Sequence, residues 1–213
     1  MTKQTDRLAA DEIANTITHG FGLILSLIGF AVLLALAWRT GNYWHKLSCS
    51  IYGASLVLLY AASTFYHAAR GPRAKNLLRV ADHCGIYLLI AGSYTPFVLG
   101  PLRAGIGWYV FFLVWGVALT GIFVRAVLGA HFRILTVVSY AALGWGGILL
   151  IKPLAAMFPV TGLMWIIAGG LAYTLGIIFY GGKFWRYNHA VWHVFVMAGS
   201  ICHFWAVVYY ILL

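Results

Sequence analysis

Apolar and polar positions along this chain alternate in long blocks, with apolar stretches separated by short clusters of charged residues. A helix that crosses a membrane needs roughly 20 mainly apolar residues. Seven stretches have about that length, at roughly 20–38, 47–68, 80–99, 106–127, 134–152, 160–181 and 190–212. The sequence therefore predicts an all-α, seven-transmembrane helix bundle. We expect a single integral membrane domain over residues 1–213, in which residues 1–19 form a cytoplasmic or interfacial arm.

The composition excludes a soluble domain. Only 8% of the residues are charged and the mean hydropathy is +0.90, whereas about a quarter of the residues of a soluble domain are charged. The net charge of +10 does not indicate nucleic-acid binding, because the basic residues lie between apolar stretches rather than in one tail or on one face. We expect membrane lipids as environment or substrate, and the sequence leaves the oligomeric state open.

The basic residues predict the orientation of the bundle, because Lys and Arg are enriched in cytoplasmic loops. With the N-terminus in the cytoplasm and the C-terminus outside, ten of the fourteen basic residues lie on the cytoplasmic side. These ten are Lys3, Arg7, Arg70, Arg73, Lys75, Arg79, Arg125, Arg133, Lys183 and Arg186.

The segment before the first apolar stretch carries two stripes at helical spacing. Glu12, Asn15 and His19 follow one another at i, i+3 and i+7, whereas Ile13 and Ile17 lie on a different stripe. We expect a short amphipathic helix that runs into the first span and could lie in the cytoplasmic interface.

Asp82 is the only acidic residue after Glu12, and it lies inside an apolar stretch. A charge in the middle of a membrane costs about 2.5 to 3.5 kcal/mol on insertion scales, so such a residue serves a function by default. The residue needs a partner, and the histidines of this chain are the candidates.

Five polar residues are expected at one depth in the membrane. Ser63 and His67 end the second stretch, and Asp82 begins the third. His189 and His193 begin the seventh stretch, so the predicted topology places the whole group at the cytoplasmic end. A spacing of four residues puts Ser63 and His67 on one helical face, and it does the same for His189 and His193.

This group predicts a zinc site. Neutral His67, His189 and His193 would hold Zn(II) and leave its fourth position open, which is the pattern of catalytic zinc. A water in that position would titrate near neutrality and become a nucleophile. Asp82 would hydrogen-bond and deprotonate this water, and Ser63 would hold a ligand, the water or a substrate oxygen. We therefore predict three histidine ligands, with Asp82 and Ser63 as catalytic residues.

Alternatives exist for each histidine. Two histidines four residues apart are weak evidence alone, because intramembrane histidines also join helices by hydrogen bonds or relay protons. His83 lies about 100° round the helix from Asp82 and is expected to pack or to contact the ligands from outside. His203 lies about 15 Å deeper than His193. We expect it to make a hydrogen bond across the bundle, with a position in a cavity wall as the alternative.

The chain carries recognisable motifs from Asp11 onward. They are Glu12-x-x-Asn15-x-x-x-His19, Ser63-x-x-x-His67, the run DHCGIYLLIAGSYTPF from Asp82, and His189-x-x-x-His193. In these motifs the chain resembles the bacterial hemolysin III proteins of the progestin and adipoQ receptor family, which belong to a wider superfamily that includes alkaline ceramidases.

The resemblance implies a cytoplasmic N-terminus and a zinc site in which His67, His189 and His193 are the ligands. It implies that Asp82 holds the metal-bound water and that Ser63 completes the site. Similarity to ceramidases implies hydrolysis of a lipid amide or ester whose carbonyl enters laterally from the bilayer. Bacterial relatives are associated with cytolysis and with membrane-fluidity or energy homeostasis.

The leading hypothesis is a zinc-dependent, ceramidase-like hydrolase of lipid amide or ester bonds in the bacterial inner membrane. Two alternatives stay open. One is a hemolysin-like pore or proton-coupled transport protein in which Asp82 and the histidines form a relay. The other is a noncatalytic sensor of membrane state with structural zinc.

Overall fold

The computed structural model describes residues 2–128, 133–182, 184 and 186–213, and it gives no side-chain placement for residues 2–8, 128 and 133. Within these ranges every element is helical, which confirms the predicted all-α class. The helices are α1 (Thr2–Arg39), α2 (Tyr43–Ala68), α3 (Pro72–Leu99), α4 (Gly107–Leu128), α5 (Arg133–Trp145), α6 (Ile151–Ala155), α7 (Val160–Gly181) and α8 (Asn188–Val207). A 3₁₀ segment (Gly146–Leu150) joins α5 to α6, and α8 ends in a π-helical turn (Val208–Leu212).

Six helical stretches in the described residues are long and apolar enough to cross a membrane, so this is a multi-pass membrane protein. They are α1, α2, α4, the combined α5 to α6 stretch, α7, and α8 with its terminal turn. The exception is α3, which has 28 residues but is more polar. It carries Asp82 and His83 in its first half and Ser93 and Thr95 in its second half.

Helix α1 joins the predicted arm helix and the first span into one helix of 38 residues. Asn15 and His19 are 7% and 3% exposed, whereas Ile13 and Ile17 are 59% and 65% exposed. The polar stripe therefore faces the protein and the apolar stripe faces outward. The cytoplasmic or interfacial placement of residues 1–19 stays a prediction.

One close contact between α2 and α3 places two polar residues, Asp82 and Ser63, side by side. A Cβ atom on Gly85 would lie only 3.1 Å from the Cα atom of Leu59. Small residues allow such close approach of membrane helices. Gly85 follows Asp82 by three residues and Leu59 precedes Ser63 by four, so this contact also brings Asp82 beside Ser63.

Helix α8 closes the bundle. Helices that follow one another along the chain pack together, and α8 returns to pack against α1 and α3. The outside of the bundle carries large apolar side chains, such as Ile134, Tyr109 and Leu149. An exposed apolar surface of this kind marks contact with a membrane or partner.

Candidate metal centre

Three histidines meet where α2 ends and where α3 and α8 begin, a place that we call the site end. His67 lies in the last turn of α2, and His189 and His193 lie in the first turns of α8. Each ring offers one nitrogen, and these three nitrogens all lie within 4.8 Å of one another. The ring centroids of His189 and His193 are 4.5 Å apart, and the His67 centroid lies 5.2 Å and 5.1 Å from them. This group could hold a metal ion.

Glu12 of α1 orients the His67 ring. Its Oε2 atom lies 2.7 Å from His67 Nδ1, and its Oε1 atom accepts a hydrogen bond of 2.6 Å from Lys75 Nζ. Since an ionised carboxylate only accepts hydrogen bonds, Nδ1 of His67 carries a hydrogen and donates it. Nε2 of His67 is buried and has no hydrogen-bond partner among the described residues. Metal-ligating histidines adopt this arrangement, with a carboxylate on the nitrogen that does not bind the metal.

Thr18 of α1 orients the His193 ring in a similar way, through its Nδ1 atom. Its hydroxyl donates to the backbone carbonyls of Ala14 and Asn15, at 2.9 Å and 3.0 Å. When its single hydrogen is on one of these carbonyls, the hydroxyl oxygen accepts from His193 Nδ1, at 3.0 Å. In that arrangement Nδ1 of His193 carries the hydrogen of the neutral ring, and the Nε2 lone pair is available to a metal.

Asp82 lies next to these histidines on α3. Its side chain is 14% exposed, and the Ser63 hydroxyl and the His67 ring are close enough to interact with its carboxylate. Arg125 of α4 also lies within electrostatic range of Asp82. The structure thus brings Asp82 and Ser63 together with the three histidines that the sequence singled out.

A fourth histidine belongs to the same cluster. The His19 ring on α1 stands edge-on to the His193 ring, with centroids 3.7 Å apart. Both ring nitrogens of His19 are buried without a hydrogen-bond partner in the described part of the chain. The sequence pattern predicted no part in the site for His19, Glu12 or Thr18. The signal that could have found two of them was the polar stripe on α1.

The two remaining intramembrane histidines have different surroundings. His83 Nδ1 donates to the Arg79 carbonyl of its own helix at 2.7 Å, which agrees with the expected packing role. His203 Nδ1 also donates within its own helix, to the Gly199 carbonyl at 2.9 Å. Nδ1 of His203 therefore does not make the expected hydrogen bond across the bundle. His203 lines the internal cavity instead, which was the alternative.

An internal cavity of about 460 Å³ connects these features. At the site end its wall includes polar side chains, and farther in the wall is mainly apolar, with Phe97, Leu150, Leu163 and Ile166. The volume lies within the usual range for small-molecule sites. Trp145, Ile148 and Ile167 line the cavity and are exposed. They belong to the α5 to α6 stretch and to α7.

Sequence comparison places the chain in a family. A family model described as "Haemolysin-III related" matches residues 8–204. The chain is 40% identical over 200 residues to the "Hemolysin-3 homolog" of Bacillus subtilis (strain 168), and the match covers 94% of each chain. This chain belongs to the haemolysin-III related family. The match confirms the family resemblance that the motifs predicted.

Two further relatives of this haemolysin-III family protein extend the comparison. It is 38% identical over 212 residues to "Hemolysin-3" of Bacillus cereus, covering 100% of this chain and 96% of that one. It is 29% identical over 209 residues to the human "Monocyte to macrophage differentiation factor", covering 92% of this chain and 83% of that one. The human relative supports membership of the progestin and adipoQ receptor family.

Proposed function

We propose that this haemolysin-III family protein is a zinc-dependent hydrolase of lipid amide or ester bonds in the bacterial inner membrane. One observation carries the proposal. The buried Nε2 atom of His67 has no hydrogen-bond partner among the described residues, while Glu12 holds the other nitrogen of the same ring. His189, His193 and Asp82 surround it. Three neutral histidines with an open fourth position suit catalytic rather than structural zinc.

The proposal includes seven membrane spans within a single domain of residues 1–213. Helix α3 has 28 residues, so it is about 42 Å long at 1.5 Å per residue. This length exceeds the roughly 30 Å of the hydrocarbon core. Helix α3 packs against α2 and α4, which both qualify as spans, and protein neighbours can shield its polar residues from lipid. A cytoplasmic N-terminus puts the basic site end on the cytoplasmic side.

The chain's own residues have distinct parts in this chemistry. When bound, zinc supplies a Lewis acid that polarises a carbonyl oxygen and acidifies water. Asp82 accepts the proton of the attacking water at its carboxylate, and Ser63 orients that carboxylate. Glu12 and Thr18 keep the rings of His67 and His193 in the tautomer that a metal requires.

The cavity suits a lipid substrate. Its apolar part can hold a hydrocarbon chain while the polar wall at the site end meets the carbonyl. The exposure of the lining residues Trp145, Ile148 and Ile167 supports entry from the bilayer. A substrate that enters this way does not have to cross water.

Lipid mass spectrometry of membranes containing wild type or Asp82→Asn tests the proposal. We expect wild type to release fatty acid from a membrane lipid, and Asp82→Asn to do so about 10²- to 10⁴-fold more slowly, because the general base is lost. Both proteins should hold about one zinc per chain by elemental analysis. Asp11→Asn, which alters an exposed ion pair with Arg186, is the matched control.

Other outcomes would replace the proposal. Identical lipid profiles for wild type and Asp82→Asn would contradict hydrolysis. Liposome conductance that survives removal of the zinc ligands, without lipid cleavage, would favour a pore or transport protein. Full biological activity of zinc-loaded Asp82→Asn would favour a noncatalytic sensor.

A further inference from the structure

Two arginines line the cavity at the site end, Arg79 on α3 and Arg125 on α4. Arg79 precedes Asp82 by three residues, so the two share one face of α3. Arg125 is only 5% exposed and lies within electrostatic range of Asp82. The Nε atom of Arg79 is buried and has no hydrogen-bond partner among the described residues. Two guanidinium groups from neighbouring helices therefore lie on the wall that carries Asp82.

The described carboxylates at the site end are already engaged. Asp11 pairs with Arg186 at 3.3 Å, and Glu12 pairs with Lys75 at 2.6 Å. Asp82 lies within electrostatic range of Arg125, and its Oδ2 atom is 3.7 Å from His83 Nδ1. Arg79 makes no ion pair with another described residue. A metal at the histidines would add further positive charge. Because uncompensated charge at membrane depth is costly, this wall favours an anionic group.

We propose that Arg79 and Arg125 bind the oxyanion headgroup, phosphate or carboxylate, of an amphipathic lipid whose chain occupies the cavity. The inference rests on the proposed function in assigning a lipid to this cavity, and it names the class of that lipid. The planar fork of a guanidinium matches the two oxygens of a phosphate or carboxylate. The same cavity offers the apolar wall that the chain requires.

Tryptophan quenching measures this binding without any turnover. Trp145 and Trp192 line the cavity, so a lipid with bromine atoms on its chain should quench them. Purified zinc-loaded protein in a neutral detergent is titrated with brominated lysophosphatidic acid. Lysophosphatidylcholine with the same chain controls for net charge, and a fatty acid with that chain distinguishes carboxylate from phosphate. Inorganic phosphate as competitor distinguishes a lipid headgroup from the free anion.

We expect lysophosphatidic acid to bind saturably and more tightly than lysophosphatidylcholine. Arg79→Gln and Arg125→Gln should each raise its Kd about tenfold or more, because a charge-assisted hydrogen bond is lost. Arg125→Lys keeps the charge but loses the fork, so its Kd should rise less, and it serves if the buried Gln variant does not fold. Arg103→Gln is the control, since Arg103 stacks over Trp44 outside the cavity wall, and its Kd should match wild type.

Each remaining outcome is decisive. Equal Kd values for the two lysophospholipids and the fatty acid, or a Kd that Arg79→Gln and Arg125→Lys both leave unchanged, would overturn the inference. Arginine dependence for the fatty acid alone would support it with a carboxylate headgroup. Full competition by inorganic phosphate at the Kd of the lipid would overturn the lipid assignment. Arginine-dependent binding without lipid cleavage would contradict only the hydrolase proposal. If the protein hydrolyses lipid and Arg79→Gln changes neither the Kd of the lipid nor the rate of hydrolysis, only the inference about the arginines would be contradicted.

Discussion

His193 and His203 lie on the same helix and line the same cavity, yet their surroundings differ. They are ten residues apart, which is about 15 Å along α8. Nδ1 of His193 meets the Thr18 hydroxyl of another helix at 3.0 Å. Nδ1 of His203 meets the Gly199 carbonyl of its own helix at 2.9 Å, and its ring stacks on Tyr173.

The difference shows that neighbours decide what a buried histidine can do. At the site end, side chains from α1 take up one nitrogen of His67 and of His193, so the other nitrogen of each ring can serve a metal. Deeper in the cavity, the described residues form no group of three metal-ligating side chains around His203. The His203 ring forms part of the cavity wall.

The largest expected effect separates these two histidines directly. His193→Ala should reduce bound zinc from about one ion per chain to below about 0.1, because it removes one of three protein ligands. His203→Ala should retain the zinc of wild type. Elemental analysis after gel filtration measures both. Equal zinc content in the two variants would show that the different surroundings of His193 and His203 do not decide zinc binding.

A smaller effect is expected from the carboxylate behind His67. Glu12→Gln keeps the size of the side chain but weakens the hydrogen bond to Nδ1, so zinc affinity should fall about 10- to 100-fold. Asp11→Asn changes the neighbouring acid, whose partner is Arg186 on the surface, and should leave the affinity unchanged. Competition with a zinc chelator gives both affinities. A matching loss in Asp11→Asn would mean that general charge, rather than the His67 contact, matters.

The smallest effect is expected at Thr18. Thr18→Val removes the acceptor for His193 Nδ1 at nearly constant volume, and zinc affinity should fall about fivefold, as expected for one neutral hydrogen bond. Thr16→Val is the control, because the Thr16 hydroxyl binds only the Glu12 carbonyl of its own helix in the described structure. The same chelator competition applies. An unchanged affinity in Thr18→Val would remove Thr18 from the site.

Much of the helical architecture could be predicted from apolar runs, because the bilayer requires long apolar helices. Helix α3 departs from that rule, since residues such as Asp82 face the cavity rather than lipid. The predicted fifth stretch is continuous in hydropathy, but its helix changes to 3₁₀ geometry at Gly146. Local glycine geometry of this kind leaves little trace in a hydropathy pattern.

The candidate site was predictable only in part. Helical spacing aligns His189 with His193, and the order of the spans brings His67 to the same end. The contributions of Glu12 and Thr18 depend on how α1 is rotated against α2 and α8. The stripe on α1 showed that a polar face exists, but a polar face can turn to water or to protein. Only the packed bundle distinguishes these two environments.

The contact between Thr18 and His193 joins residues that are 175 positions apart. During synthesis, α1 is complete long before α8 exists, and contacts between such distant segments form late in folding. The histidine cluster therefore has no complete form until the last helix has inserted beside the first. A metal bound there would stabilise the closed bundle, because its binding free energy would become folding free energy. Metal loading would then mark the moment at which membrane assembly of this protein is finished.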